Sequence, residues 1–433
     1  MEIRPFYFGF DGMDVSFQGR IPRGLVDVLE AAKLEAQATR APVLVTWRGQ
    51  SMHVAETGAR GGYAFRCDTG PEGAVWFFAS NPDPKNWNIR VSARSAWLAT
   101  KGYKGVRDGM YAFLEAIGAD VLAESIARVD FAMDFRGDDM GDFALDPTAF
   151  VMHSHTTRAD HAEDVAIHGV SGRYTSVTCG KMPGRQVIVY DKTKEIVSHR
   201  KDEWRLIWAE ALNRAGLPPL GEVERVWRVE VRAGKDHLKT RWGCSTWAEL
   251  EAMAGDILAR ALADIRYTTP SATDSERCRW PDAPIWAGAR ACVAGALFDW
   301  HSGVLPGVVK AVRRDQLAQT MRAMMLGLLA TWTFATGTPA KAEEVAPALA
   351  DMAQSYMQSE PDEFAAKLKR AGRKYRFLNE EGEVERIAGK GSQHLGTGGE
   401  IAVEFDPQGD CRNAFDAGDA ERHGQPFEGF GGA

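Results

Sequence analysis

The sequence predicts an α+β fold in which an antiparallel-sheet domain precedes a helical domain and a disordered acidic tail. Three segments, 128–135, 185–192 and 227–232, alternate apolar with polar residues, as strands with one covered face do. A helical segment separates the second of these strands from the third, which is typical of α+β domains. From residue 246 onward the apolar spacing becomes predominantly helical. We therefore expect domains over 1–245 and 246–375, with a tail over 376–433.

The elements that precede the charged strands follow from their apolar spacing and from turn-forming residues. Spacing of two predicts strands and spacing of three to four predicts helices. In chain order these are strand structure over 6–20, a helix over 25–38, strands over 43–54, 62–67 and 74–79, and a helix over 108–117.

The later elements are predicted in the same way. Residues 121–127 lead into the first charged strand, and the polar stretch 138–170 breaks the pattern. A hairpin is expected across the Gly- and Pro-containing loop 180–184. The remaining elements are a helix over 194–215, a strand over 226–232, and helices over 248–265, 285–298, 314–335 and 361–373. The Gly-rich, acidic remainder has no periodicity and is predicted to be disordered.

The formal charge of the chain does not by itself indicate a DNA-binding protein. The 433 residues carry a net charge of -7, and residues 376–433 alone hold twelve acidic and five basic side chains. Residues 1–375 are therefore neutral in sum. Because a local field matters more than net charge for gripping a phosphate backbone, a nucleic-acid partner stays compatible with the composition.

Cysteine spacing and hydropathy indicate a cytoplasmic protein with no membrane partner. The six cysteines form no CxxC pair, which argues against a disulfide framework and against a cysteine zinc site. The N-terminus has no basic region followed by an apolar run. The most apolar helical segment, 323–336, is shorter than the roughly 20 residues that span a bilayer.

The charged strands place their polar side chains on one face of the predicted sheet. Alternation puts Arg128, Asp130 and Asp134 on a common face, and it does the same for Arg228, Glu230 and Arg232. Carboxylates are hard oxygen ligands suited to Mg²⁺ or Mn²⁺. Ion pairing of Asp130 and Asp134 with Arg128 and Arg228 across adjacent strands is the competing interpretation. The histidines at 153, 155, 161 and 168 lie in loop-like sequence, for which a solvated loop is favoured over a metal site.

These residues, in this order, resemble a known family. The strand Arg128-Val-Asp-Phe-Ala-Met-Asp-Phe135, the hairpin ending in Tyr190-Asp191-Lys192, and Arg228-Val-Glu230 are similar to motifs of the Rep_trans replication initiation factors. Gly9-Phe-Asp-Gly-Met-Asp-Val-Ser-Phe17 resembles the first strand of that family, and the resemblance covers roughly residues 6–240. The family includes rolling-circle plasmid and phage initiators and related relaxases of mobile elements.

The resemblance implies a metal-dependent endonuclease that nicks one DNA strand at an origin. Tyr190 matches the nucleophile that forms a 5′-phosphotyrosine, and Lys192 would lower the pKa of that phenol or bind the phosphate. The metal ligands would be Asp130, Asp134 and Glu230.

The same resemblance implies that Arg128, Arg185, Arg228 and Arg232 bind DNA. Ile188 stands where the family commonly has an arginine two residues before the tyrosine, so Arg185 is the substitute phosphate contact, although alternation puts it on the opposite face. The DNA would be an origin, single-stranded or in a hairpin. A host helicase and a second copy of the chain are further candidate partners.

Two alternatives stay open at this point. A conjugative relaxase would use the same chemistry at a transfer origin. A DNA-binding protein on the same fold, without cleavage, would keep the sheet but not the reaction.

Overall fold

The chain is described by a computed structural model over residues 3–141, 143–152, 165–295, 297–299, 304 and 307–378. Within these ranges it combines a large antiparallel sheet with helices, which confirms the predicted α+β class.

The strands of the described residues are numbered in chain order. They are β1 (Tyr7–Arg20), β2 (Val43–Trp47), β3 (Gln50–Val54), β4 (Phe65–Asp68), β5 (Ala74–Phe78), β6 (Ile89–Ala93), β7 (Asp120–Arg136), β8 (Phe150–Met152), β9 (Val165–Val170), β10 (Arg173–Gly180), β11 (Arg185–Asp191), β12 (Val226–Gly234) and β13 (Ile265–Tyr267).

The helices of the described residues are numbered in the same way. They are α1 (Arg23–Thr39), α2 (Ser95–Ile117), α3 (Lys192–Ser198), α4 (Glu203–Arg214), α5 (Trp247–Asp264), α6 (Pro284–Val293), α7 (Val308–Thr336), α8 (Ala342–Ser359) and α9 (Pro361–Lys374).

One sheet carries most of the strands, in the order β2-β3-β4-β5-β6-β1-β7-β12-β11-β10-β9. Every neighbouring pair in it is antiparallel, and β8 pairs separately with β13. The long strands β1 and β7 lie at its centre, so the three charged segments of the sequence become the adjacent strands β7, β12 and β11.

The two faces of this sheet are covered differently. On the face that we call the core face, apolar side chains such as Phe131, Val187 and Val229 join one hydrophobic cluster with residues of α1, α2, α5 and α6. The opposite face, which carries Asp130, Glu230 and Tyr190, is called the site face. A smaller cluster built from Tyr7 and the tryptophans of α4 covers one end of it. Elsewhere on this face, the strands β7, β11 and β12 carry mostly polar and charged side chains, with the apolar Ala132 and Ile188 among them.

Several segments differ from the prediction. The strand β6 and the helix α8 were not predicted, and α2 begins at Ser95, before the helix predicted over 108–117. The single helix expected over 194–215 is two helices, α3 and α4, because the chain turns between them and Arg200 adopts a left-handed conformation with φ of 50°. This turn lets α4 fold back over the site face. The stretch 138–170, expected to lack regular structure, contains β8 and β9.

The described residues belong to one compact unit, and α5 and α6 share the main hydrophobic cluster with the sheet. The division at residue 245 stays a prediction about independent folding units. The tail predicted over 376–433 lies outside the described residues from 379 onward. A search of the described helices finds none with the length and apolar character that a bilayer crossing requires.

Candidate active site

Strand register brings the predicted site residues together on the site face. Tyr190 of β11 lies opposite Arg228 of β12, which lies opposite Asp134 of β7. Four residues further along β12, Arg232 lies opposite Asp130, and Glu230 lies in the row between. The alternation of the sequence therefore places these side chains on one surface, across three adjacent strands.

A direct hydrogen bond joins Tyr190 to Glu230. The Tyr190 hydroxyl donates to Glu230 Oε2 at 2.9 Å, and Arg232 Nε donates to the other oxygen, Oε1, at 2.6 Å. Burial raises the pKa of Glu230, but Arg232 and Arg228 outweigh it and hold the pKa below its ordinary value. Burial, and then the Glu230 charge, raise the pKa of Tyr190 well above its ordinary value. The resting site is thus a neutral phenol bonded to a carboxylate.

Arg228 is the central buried cation of the site. Its guanidinium binds both oxygens of Asp134, at 2.5 and 2.8 Å, and it binds Asp11 Oδ1 at 2.8 Å. Its guanidinium carbon lies 4.4 Å from the centre of the Trp204 ring, and Trp208 Nε1 donates to Asp134 at 2.8 Å. Burial lowers the pKa of Arg228, but Asp134 and Asp11 raise it well above its ordinary value. With 0% exposure, Arg228 holds the fold of the site together and is not open to a DNA strand.

The outer part of the site is a row of ion pairs. Arg128 binds both oxygens of Asp130, at 2.8 and 2.6 Å, and Arg232 Nε lies 4.0 Å from the same carboxylate. The side chains of Arg128 and Arg232 are 18% and 31% exposed, so both are open to solvent at the site face. The row continues on β1 and β6, where Arg90 binds Asp14 at 2.9 Å. These contacts agree with the interpretation of Asp130 and Asp134 as ion-pair partners of Arg128 and Arg228.

The three carboxylates do not fit a single metal site as they are arranged. Asp130 and Asp134 are four residues apart on one strand, a separation of about 13 Å, whereas a cation binds oxygens at about 2 Å. Arginines bind both oxygens of each aspartate. Among the described residues, no group of three or more His, Cys, Asp or Glu side chains is placed to hold a metal ion. Use of Mg²⁺ or Mn²⁺ by the chain stays a prediction.

Lys192 lies beside Tyr190 but is buried in an ion pair. Its ammonium binds Glu195 at 2.7 Å and lies 5.7 Å from the centre of the Tyr190 ring. Burial, and then the neighbouring Arg228, lower the pKa of Lys192. Burial raises the pKa of Glu195, but Lys192 and Lys201 lower it to about 2. Lys192 therefore supplies positive charge behind the tyrosine, and its 2% exposure keeps it from contacting a bound strand.

The predicted DNA contact of Arg185 needs correction. Arg185 is 0% exposed on the core face, where its Nη1 binds Asp264 Oδ2 at 3.0 Å. Strand alternation puts the side chains of Arg185 and Tyr190 on different faces of β11, and α5 covers the core face, where Arg185 lies. Of the histidine cluster, His153, His155 and His161 lie outside the described residues, and His168 lies on β9.

Asp11 is a site residue to which sequence analysis assigned no role. The register of β1 against β7 shifts between Phe10 and Gly12, so Asp11 is an extra residue whose carboxylate reaches Arg228. A Cβ at Gly12 would lie 2.5 Å from Asp130 Oδ2, so only glycine lets that carboxylate approach β1. A glycine inside a strand pattern is a signal for a bulge or a close approach, and Gly12 carries that signal.

Comparisons with known proteins leave the family of this chain open. No family model matches the chain, and no curated protein matches it. One similar solved structure is described as a rolling circle replication initiator protein from Geobacillus stearothermophilus. It is 16% identical, with a TM-score of 0.34, and the match covers 66% of this chain and 96% of that chain. This similarity is too weak to assign an activity, so the function has to be inferred from the residues of the site.

Proposed function

We propose that this chain nicks one DNA strand at an origin of rolling-circle replication and retains the cut strand on Tyr190. The observation that carries the proposal is the 2.9 Å hydrogen bond from the Tyr190 hydroxyl to the Glu230 carboxylate. A potential nucleophile within hydrogen-bond reach of a base is the arrangement that covalent catalysis requires. The 5′ linkage and the replication role come from the sequence resemblance.

In the proposed step, Tyr190 replaces the 3′ oxygen on one phosphorus atom of the DNA strand. Tyr190 Oη forms a bond to phosphorus while the bond from phosphorus to the 3′ oxygen breaks. The phenol proton passes to Glu230, which returns it to solvent, and the 3′ oxygen takes one proton from solvent. Because the pKa of Tyr190 is raised, proton transfer has to accompany the attack and not precede it.

Arg232 has a second role in this proposal. Its guanidinium binds Glu230 in the resting site and is also the more exposed arginine of the outer row. A bound phosphate would draw Arg232 away from Glu230, and losing that cation would raise the pKa of Glu230. Glu230 would therefore become a stronger base only when a phosphodiester is bound.

The test is covalent adduct formation with labelled single-stranded DNA, on a denaturing gel, with Mg²⁺, with Mn²⁺ and with a chelator. We expect a shifted band for the wild type, none for Tyr190→Phe, and a weakened band for Glu230→Gln. Tyr174→Phe, on the neighbouring strand β10, is the matched control and should retain the adduct.

Two results would contradict the proposal. An adduct that survives Tyr190→Phe would place the nucleophile elsewhere. DNA binding by the wild type with no adduct under any of the three conditions would favour a non-catalytic DNA-binding protein. A relaxase would give the same adduct, and its substrate would be a transfer origin.

A further inference from the structure

The strand β9 forms an exposed edge of the large sheet. All six of its residues are exposed, and within the part of the chain that the structure describes the sheet order ends at this strand. Val165, Ile167 and Val170 are 44%, 46% and 54% exposed, and Tyr174 on the adjoining strand β10 is 50% exposed. An apolar strand that is open on both faces is unusual in a folded chain.

The composition of β9 lacks the usual protection of sheet edges. Folded proteins protect such edges with lysines, prolines, bulges or a covering helix, because unpaired backbone groups recruit other strands. The sequence Val-Ala-Ile-His-Gly-Val of β9 contains no Lys, Arg, Asp, Glu or Pro. At the other edge of the sheet, α9 packs near β2 and β3, and the Arg373 carbonyl lies 2.6 Å from His53 Nε2.

The apolar side chains of β9 continue the core layer beyond the last strand. Val165 lies opposite Cys179, and Ile167 lies opposite Val177, in the register with β10. Cys179 and Val177 are fully buried in the main hydrophobic cluster on the core face. Val165 and Ile167 therefore belong to the core face, yet they remain about half exposed at the edge.

We propose that β9 pairs antiparallel with β9 of a second copy of this chain. An antiparallel pair of identical strands has a two-fold axis perpendicular to the sheet, so each strand is its own complement. The pairing would join the two sheets and bring together the Val165 and Ile167 side chains of both copies. No like charges from β9 would meet, because the strand carries none. A second copy is therefore favoured over a charged peptide as the partner.

The symmetry sets the relation of the two candidate active sites. A two-fold axis perpendicular to the sheet keeps both site faces on the same side. Five strand spacings, from β11 through both β9 strands to the second β11, separate the two Tyr190 rows by about 24 Å. This consequence rests on the proposed function, whereas the pairing itself does not depend on Tyr190 chemistry.

The test is the dissociation constant of the full chain, from sedimentation equilibrium over a range of protein concentrations. We expect a dimer for the wild type. Ile167→Lys places one charge from each copy in the interface and should raise the dissociation constant at least about tenfold. Leu34→Lys, which changes a 67% exposed leucine on α1, is the matched control and should leave the dimer unchanged. Circular dichroism should show the same secondary structure for all three proteins.

A cross-linking measurement gives a second reading of the same interface. Ala166→Cys on β9 should form disulfide-linked dimers under mild oxidation, because Ala166 meets its own copy in the antiparallel register that puts Val165 opposite Ile167. Ser198→Cys, an exposed position of α3, should not form them. A wild type that stays monomeric, or dimers that withstand Ile167→Lys, would overturn the proposal. Equal loss of dimer in Leu34→Lys would overturn it too. Each of these outcomes is independent of the result of the Tyr190 adduct assay.

Discussion

Removal of the Arg228 guanidinium should destabilise the fold strongly, because this buried cation pairs with two carboxylates at the end of the site face. Arg228 and Asp134 are both 0% exposed, and Asp11 is 14% exposed. In Arg228→Met, Asp134 would keep its hydrogen bond from Trp208 but lose the Arg228 guanidinium as its cation partner. Met fills a similar volume, so the change mainly removes charge.

The expected magnitude follows from the burial of the pair. Removing one partner of a buried ion pair costs about 3–5 kcal/mol of unfolding free energy, since the remaining charge is left uncompensated. That is a large part of the roughly 5–15 kcal/mol that stabilises a typical domain. Adding Asp134→Asn should recover part of the loss, because the amide removes the orphaned charge and still accepts from Trp208.

Urea denaturation followed by circular dichroism measures both changes. The control is Arg20→Met, because the ion pair of Arg20 with Asp120 has side chains that are 50% and 60% exposed. An exposed pair contributes about 1 kcal/mol or less. The reasoning would be refuted by a loss in Arg228→Met no larger than in Arg20→Met, or by a double variant less stable than Arg228→Met alone.

Three further outcomes are expected. Because the pKa of Glu195 falls from 4.5 to about 2 on folding, its contribution to stability is complete above pH 4.5 and is lost as the pH falls toward 2. Glu195→Gln should therefore flatten the acid-unfolding curve in that window, and an unchanged curve would contradict this. Gly12→Ala should displace the Asp130 carboxylate and lower the rate of adduct formation. Gly49→Ala, where a Cβ has open space, is the control and should cost a small amount of stability without lowering that rate. Deleting residues 379–433 removes twelve acidic and four basic side chains, changing formal charge from -7 to +1. Non-specific DNA binding at low salt should strengthen, and unchanged affinity would contradict a screening role for the tail.

Sequence periodicity was sufficient for the central charged strands of the sheet but not for the contacts within its site. Alternation correctly grouped Asp130, Glu230 and Arg232 on one face, because a strand fixes the side of each residue. It also put Arg185 on the opposite face, where the structure has it. The spacing of strand residues already separates Asp130 from Asp134 by about 13 Å, a distance that the expectation of one shared cation had overlooked.

The remaining differences arise where the chain departs from regular geometry. Asp11 reaches Arg228 only because a bulge inserts one residue into β1, and a bulge changes the side of every residue before it. The turn at Arg200 divides one predicted helix into two, and the apolar spacing of the segment continues through it. Gly12 is a local signal for the bulge, but the apolar spacing of the sequence contains no signal for the turn at Arg200.

The outer row of the site, Arg90 with Asp14, Arg128 with Asp130 and Arg232 with Glu230, also has a consequence for the ionic-strength dependence of binding. Lysines and arginines that meet a phosphate backbone normally displace condensed counterions, and each contact steepens the fall of affinity with added salt by about 0.9 in a logarithmic plot for duplex DNA. Here each arginine has a carboxylate fixed beside it. A phosphate that replaces this carboxylate as the partner leaves an anion behind, and that anion recruits a cation from solution. The protein carries its own counterions, so binding at this row should depend on salt much less steeply than three exposed arginines would require.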